Sequence, residues 1–367
     1  PDEDGPPTAA PPRTMKLSNL NTLRPSLAAA ALLALAPAAF SEAVLSGSTL
    51  TVNGSPSDDV ITVVFDVLPG VATVFGVPGT PDGTQFTGVL KLVARTFDGA
   101  DTFNVQSLSA TPPELDLDTG AQESTVLIDI QTPFGLLPTF SKAVVRGGVN
   151  KDTVKFQVTD NAFGATFDWT VFGGEGENEA TVAFASDVLG GATTLNWRYF
   201  GGALTDKVGL DFITKADTLN VNGLGLMGAS GDEWVVKVNG DSNTTARVAN
   251  NLRLGAGGDT TLVDVTNCAT TIFRGGIEGG EGDDTLSLTT SSSASGSPVL
   301  LGGLGNDTTL INVGQALLAG SSPRQLAGEG NDTVSMLVGA ALLGTPFSDG
   351  GPGNDSFTGV GTFVNFE

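Results

Sequence analysis

Four phrases in the C-terminal third hold the residue types best suited to chemistry. They read Gly279-Gly280-Glu281-Gly282-Asp283-Asp284-Thr285, Gly302-Gly303-Leu304-Gly305-Asn306-Asp307-Thr308, Ala327-Gly328-Glu329-Gly330-Asn331-Asp332-Thr333 and Gly350-Gly351-Pro352-Gly353-Asn354-Asp355-Ser356. The closing aspartates stand 23, 25 and 23 residues apart. Glycine lets a loop turn sharply and aim its carbonyls at one point, and the aspartate adds a charged oxygen. Calcium takes such hard oxygens, carboxylate and carbonyl together. The candidate metal residues are therefore Asp283, Asp284, Gly305, Asn306, Asp307, Gly330, Asn331, Asp332, Gly353, Asn354 and Asp355. Asp259 joins them from the weaker copy Gly255-Ala256-Gly257-Gly258-Asp259. Stacked at a common spacing, Asp284, Asp307, Asp332 and Asp355 would form a column whose mutual repulsion a divalent cation removes. The plainer reading stands beside it: tight turns in which Asn and Asp bond their own backbone.

These loops resemble the Gly-Gly-x-Gly-x-Asp repeat of the RTX (repeats-in-toxin) family of secreted calcium-binding proteins. The resemblance is strong over residues 279–357 and weak over 147–260. It implies a parallel β-roll with calcium between stacked turns. One departure matters: the family repeats its motif about every nine residues, whereas here it comes once per coil. One side of the rod would then carry the loops.

Weaker copies end upstream at Asp232, Asp206, Glu179 and Asp152, with Asp101 and Asp59 beyond them. Acidic residues are often followed by alternating apolar positions, as in Thr102-Phe103-Asn104-Val105, Thr153-Val154-Lys155-Phe156 and Thr285-Leu286-Ser287-Leu288. Period-2 alternation with β-branched and aromatic residues marks half-buried strands, with Phe, Leu and Val facing in. The predicted class is all-β: a parallel β-helix or β-solenoid with roughly 23–27 residues per coil and about eleven or twelve coils. Propeller blades and sandwich domains need longer units. Ile61–Val67 and Val71–Val77 read as a hairpin capping the first coil, which protects an open strand edge. Trp169, Trp197 and Trp234 are expected in the core rather than on a carbohydrate-stacking face. The run Ser291–Ser297 reads as a polar loop bulging from one coil.

Composition narrows the function. Forty acidic against 17 basic residues give a formal charge of −23, which repels nucleic acid and anionic membranes. There is no histidine, a single tyrosine (Tyr199) and a single cysteine (Cys268). Histidine-based triads and histidine-ligated zinc are excluded, and a disulfide within the chain is too. No pair of acids stands out as catalytic, so a non-enzyme is expected. Residues 1–14 read as a disordered extension and 15–43 as a secretory signal peptide, cut after Ala38 or, preferably, Ala43. Residues 44–120 would form the cap and first coils, 121–260 degenerate coils and 261–367 the regular repeats. No later stretch has transmembrane length. The expectation is a secreted or cell-surface calcium-binding structural or adhesion protein, with cell-surface glycan or matrix as a further partner. The alternatives are a polysaccharide lyase or epimerase, or an ice-binding solenoid using an outward column of Thr102, Thr153, Thr218, Thr285 and Thr333.

Overall fold

In the computed structural model, residues 41–366 are described, except residue 110 and the segments 132–140, 160–163 and 187–190. The extension and nearly all of the signal-peptide reading lie outside the described residues. Glu42–Ser46 is already a strand, paired antiparallel with Thr49–Asn53. A cut after Ala43 would fall inside that strand.

Two long sheets face each other, one of 15 strands and one of 14. Apart from the N-terminal hairpins and the pair Ser293–Gly296 and Val299–Leu304, successive strands along the chain alternate between them, so each coil contributes to both, and pairing between coils is parallel. Thr153–Thr159, for example, pairs in register with Thr125–Gln131 of the coil before and Glu179–Ala185 of the coil after. The alternation read from the sequence becomes the packing: Asp152–Thr159 shows inward residues buried and outward residues open along its length. Each inward row stacks on like residues above and below, the arrangement that lets short repeats share one core. The architecture is the expected all-β solenoid.

At the N-terminal end, Val60–Phe65 and Val71–Phe75 form the predicted hairpin, extended by a third antiparallel strand, Thr84–Thr87. Mid-rod, the core is aromatic. Trp169, Trp197, Trp234 and Tyr199 are all 0% exposed. Phe156 stacks on Trp169 at 4.3 Å between ring centroids, and Phe167 meets the same indole at 5.0 Å. The tryptophans are core residues and form no outward sugar platform. On the outer face of the larger sheet, Lys91, Glu114, Lys142 and Asp168 fall in one column. Lys142 Nζ lies 2.9 Å from Glu114, and Lys91 Nζ lies 3.7 Å from the same carboxylate.

Two expectations need correction. Ser293–Gly296 does not bulge: it pairs in parallel with Thr270–Phe273, because small residues suit a tight inter-coil strand. Thr102, Thr153, Thr285 and Thr333 share one outward column, but Thr218 lies on the other sheet. The shared column is also interrupted by Glu179, Lys207 and Glu233.

Candidate cation-binding edge

Each Gly-Asp loop occupies the same edge of the rod, where a strand of the larger sheet turns into one of the smaller. The residue closing the loop precedes the first strand residue, and its main chain needs a partner at the corner. Its carbonyl accepts the N–H of the next coil's strand, as in Thr308 to Asp284 (2.7 Å) and Thr333 to Asp307 (2.8 Å). Its N–H is met by a side chain: the Oδ1 of the closing residue one coil further on. Asp259 donates to Asp284 at 2.8 Å, Asp284 to Asp307 at 2.9 Å, Asp307 to Asp332 at 2.7 Å and Asp332 to Asp355 at 2.8 Å. Upstream, Asp152 donates to Asn178 (2.9 Å), Asn178 to Asp206 (3.1 Å), Asp206 to Asp232 (2.7 Å) and Asp232 to Asp259 (2.6 Å). Ser124 donates to Asp152 at 3.1 Å and Asp59 to Asp101 at 2.8 Å.

The expected column of Asp284, Asp307, Asp332 and Asp355 is therefore present, but it points inward, each residue being 1–2% exposed. Two rungs differ from the sequence reading. Asn178, not Glu179, closes its loop, and Ser124 closes one that the spacing missed. The remaining trace there was the glycine four residues before, Gly174 or Gly120.

A second column runs outside the first. Asn306 donates from N and Nδ2 to Asp283 Oδ1 (2.7 and 3.2 Å), Asn331 N to Asn306 Oδ1 (3.0 Å) and Asn354 N to Asn331 Oδ1 (3.1 Å). These residues are exposed, and each carboxamide oxygen caps an amide of the following coil. The loops thus join Asp283, Asn306, Asn331 and Asn354 in one ladder and the buried aspartates in another.

The second carboxylate oxygen of each buried rung divides the loops into two classes. In Asp152, Asp206 and Asp232, Oδ2 accepts the N–H of the glycine four residues earlier: Gly148 (2.7 Å), Gly202 (3.0 Å) and Gly228 (2.9 Å). In Asp259, Asp284, Asp307, Asp332 and Asp355, and upstream in Asp101, Oδ2 is buried without a hydrogen-bond partner; the five C-terminal ones are consecutive. The cause is local. Glycines four and two residues before these aspartates have left-handed φ, such as Gly303 (+126°) and Gly305 (+133°). That conformation turns the earlier amide away from the carboxylate, and residues with a Cβ rarely adopt it. Gly279, Gly302 and Gly350, five residues before the rung, leave room where a Cβ would collide with Oδ2.

Burial raises the carboxyl pKa of Asp101, Asp152, Asp206, Asp232, Asp259, Asp284, Asp307 and Asp332, because desolvation penalises the charged form. Asp152, Asp232, Asp284 and Asp307 are pushed up to about 6 and Asp259 to about 7. Desolvation leads in each case; for Asp259, the neighbouring Asp284 and Asp232 charges add to it.

The chemistry at the orphaned oxygens is hard and oxygen-only. A Cβ on Gly279 would meet both Asp284 Oδ2 and the Gly302 carbonyl of the next coil, and one on Gly302 would meet both Asp307 Oδ2 and the Ala327 carbonyl. Carboxylate and carbonyl oxygens are thus neighbours here, as they also are at Gly147 beside the hydrogen-bonded Asp152; hard oxygens of this type are what calcium takes and a soft metal does not. Among the described residues, no group of three or more Asp, Glu, His or Cys stands together as a metal cage. A cation here would take most of its ligands from backbone carbonyls. No family model, curated protein or solved structure matches the chain.

Proposed function

We propose that the chain is a calcium-binding structural or adhesive repeat protein that works outside the cell. The observation carrying this reading is the set of five consecutive buried carboxylate oxygens, Asp259 to Asp355, that lack a partner. An unpaired buried carboxylate oxygen costs free energy of order 1–3 kcal/mol or more, and five in a column call for an electropositive occupant. Calcium would be held by these aspartates and by carbonyls of the adjoining glycine-rich turns, and would neutralise the column. The ladder geometry supports a structural role, since the same residues that would hold the ion bond one coil to the next. A glycan or matrix component of a cell surface is the partner class such a rod would meet.

Calorimetric titration of the full chain with calcium chloride tests this, together with melting in calcium and in chelator. Saturable heat and a higher melting temperature in calcium are expected; ligand at 100 times its dissociation constant stabilises by about 2.7 kcal/mol per site. No heat and superimposable melting curves would sink the proposal.

A further inference from the structure

Left-handed loops also occur upstream, and there the chain answers them differently. Gly174 (φ +87°) and Gly120 (φ +76°) sit four residues before Asn178 and Ser124, in the conformation that turns the amide away. Neither rung is an aspartate. Asn178 keeps its Oδ1 in the ladder, accepting from Asp152, and this fixes the orientation of its amide. Its Nδ2 then stands where Oδ2 stands in an aspartate, and donates to the Gly176 carbonyl at 2.8 Å and to Asp206 Oδ1 at 3.1 Å. Ser124 Oγ likewise donates to the Thr119 carbonyl at 3.1 Å. Asp101, after a left-handed Phe97 (φ +63°) and Gly99 (φ +127°), is the exception: its Oδ2 is buried without a hydrogen-bond partner, as in the C-terminal loops. At Asn178 and Ser124, where the backbone amide is withdrawn, the rung itself carries a side-chain proton donor. The five C-terminal rungs are aspartates and carry none.

We propose that the Asn178 side-chain amide is a built-in substitute for the cation, so that the rod holds a self-sufficient middle stretch, Ser124 to Asp232, followed by a cation-dependent part beginning at Asp259. This rests on the calcium reading above and adds which loops need the ion. The rod then loosens from the Asp259–Asp355 coils when calcium is removed, while the coils from Ser124 to Asn239 hold.

The test exchanges the two solutions within the full chain. Asp307→Asn and Asp332→Asn should each place an amide where the ion would sit. Calcium uptake should fall in both variants, while in chelator their C-terminal coils should exchange amide hydrogens at least tenfold more slowly than wild type. Asn178→Asp should do the reverse, making exchange in Thr153–Thr159 and Lys207–Thr214 sensitive to chelator for the first time. Calcium uptake by wild type with chelator-sensitive exchange reaching through Ser124–Asn239 would overturn the division. So would Asp307→Asn behaving in chelator like Asp307→Ala. A wild-type chain that takes up no calcium would instead overturn the underlying calcium reading, and the substitute role with it.

Discussion

The same substitution should act with opposite sign at Asp206 and at Asp307, and Asp206 gives the sharper number. Its Oδ1 accepts from Asn178 N and Asn178 Nδ2, both at 3.1 Å, and its Oδ2 accepts from Gly202 N at 3.0 Å. Asp206→Ala removes every one of these acceptors at a site that is 0% exposed. A buried donor left unsatisfied costs about 1–3 kcal/mol, so the three donors together lose roughly 3 kcal/mol or more. Part is returned, because burial already raises the Asp206 pKa and its charged form is poorly solvated. The expected net loss at pH 7 is about 2–3 kcal/mol. Asp206→Asn keeps Oδ1 but turns an amide against the Gly202 N–H, and should lose about half as much. Guanidinium unfolding of the full chain in chelator reads the total, and hydrogen exchange at Asn178 and Gly202 shows where it arises. A loss under about 1 kcal/mol for Asp206→Ala, or an unchanged exchange rate at those two amides, would refute the ladder as a source of stability.

Other expectations follow from the same geometry. Asp152 and Asp232 titrate at about 6 in the folded chain against an ordinary 3.8. Their contribution is fully present below pH 4 and is lost as pH rises through 6, at most about 3 kcal/mol each. Melting in chelator should therefore be higher at pH 4.5 than at pH 7.5, and Asp152→Ser, copying Ser124, should flatten the slope; a slope unchanged in that variant counts against the assignment. Trp197→Ala empties a fully buried site beside Phe156, whose ring centroid is 5.5 Å away. It should lose about 3–5 kcal/mol in denaturant unfolding. Gly303→Ala drives a Cβ into the Gly280 carbonyl at a left-handed φ. Limited proteolysis should then cut the coils after residue 303 first, and a wild-type digestion pattern would contradict the packing.

The coil was legible because two periodicities coincide: alternation within Thr285–Thr290 or Asp152–Thr159 sets the faces, and the recurring Gly-Asp corner sets the length. The direction of the corner aspartates was not legible. An acidic residue beside a polar turn reads as outward, and only the inter-coil amide, absent from any linear pattern, draws it inside. Degenerate rungs were hidden for a related reason. Asn178 carries the same acceptor oxygen as aspartate, so the ladder passes through it without the acidic signature, and the adjacent Glu179 attracted the assignment. Thr218 looked like a member of the threonine column because it too follows an aspartate. Asp217, however, precedes a strand of the larger sheet rather than closing a Gly-Asp corner. The Ser291–Ser297 run looked like a loop because its composition is that of one. Its pairing with Thr270–Phe273 is decided by the neighbouring coil, not by propensity.

A ladder of near-identical rungs raises its own difficulty, since any closing residue could bond any neighbour's amide and a coil could be skipped. Register must then come from what differs between coils. In the N-terminal half the outward column Lys91, Glu114, Lys142, Asp168 alternates in sign, so skipping one coil sets like charges side by side. That is unfavourable by several tenths of a kcal/mol per pair, up to about 1. In the middle, the large rings of Phe156, Trp169 and Trp197 fill particular layers, and a displaced layer would leave a void or a clash. The C-terminal coils lack the charge device, since Arg324 is the only basic residue after Arg274, and their ring cluster, Phe357 with Phe363 and Phe366, lies only at the far end. What remains there is the glycine-rich corner itself. Withdrawn amides and orphaned oxygens recur there in five successive coils, so an ion bound between successive corners would bridge adjacent turns and disfavour a skipped one. On this view the cation sets the order of the coils as well as their stability, and refolding in chelator should scramble the C-terminal third while leaving the aromatic middle intact.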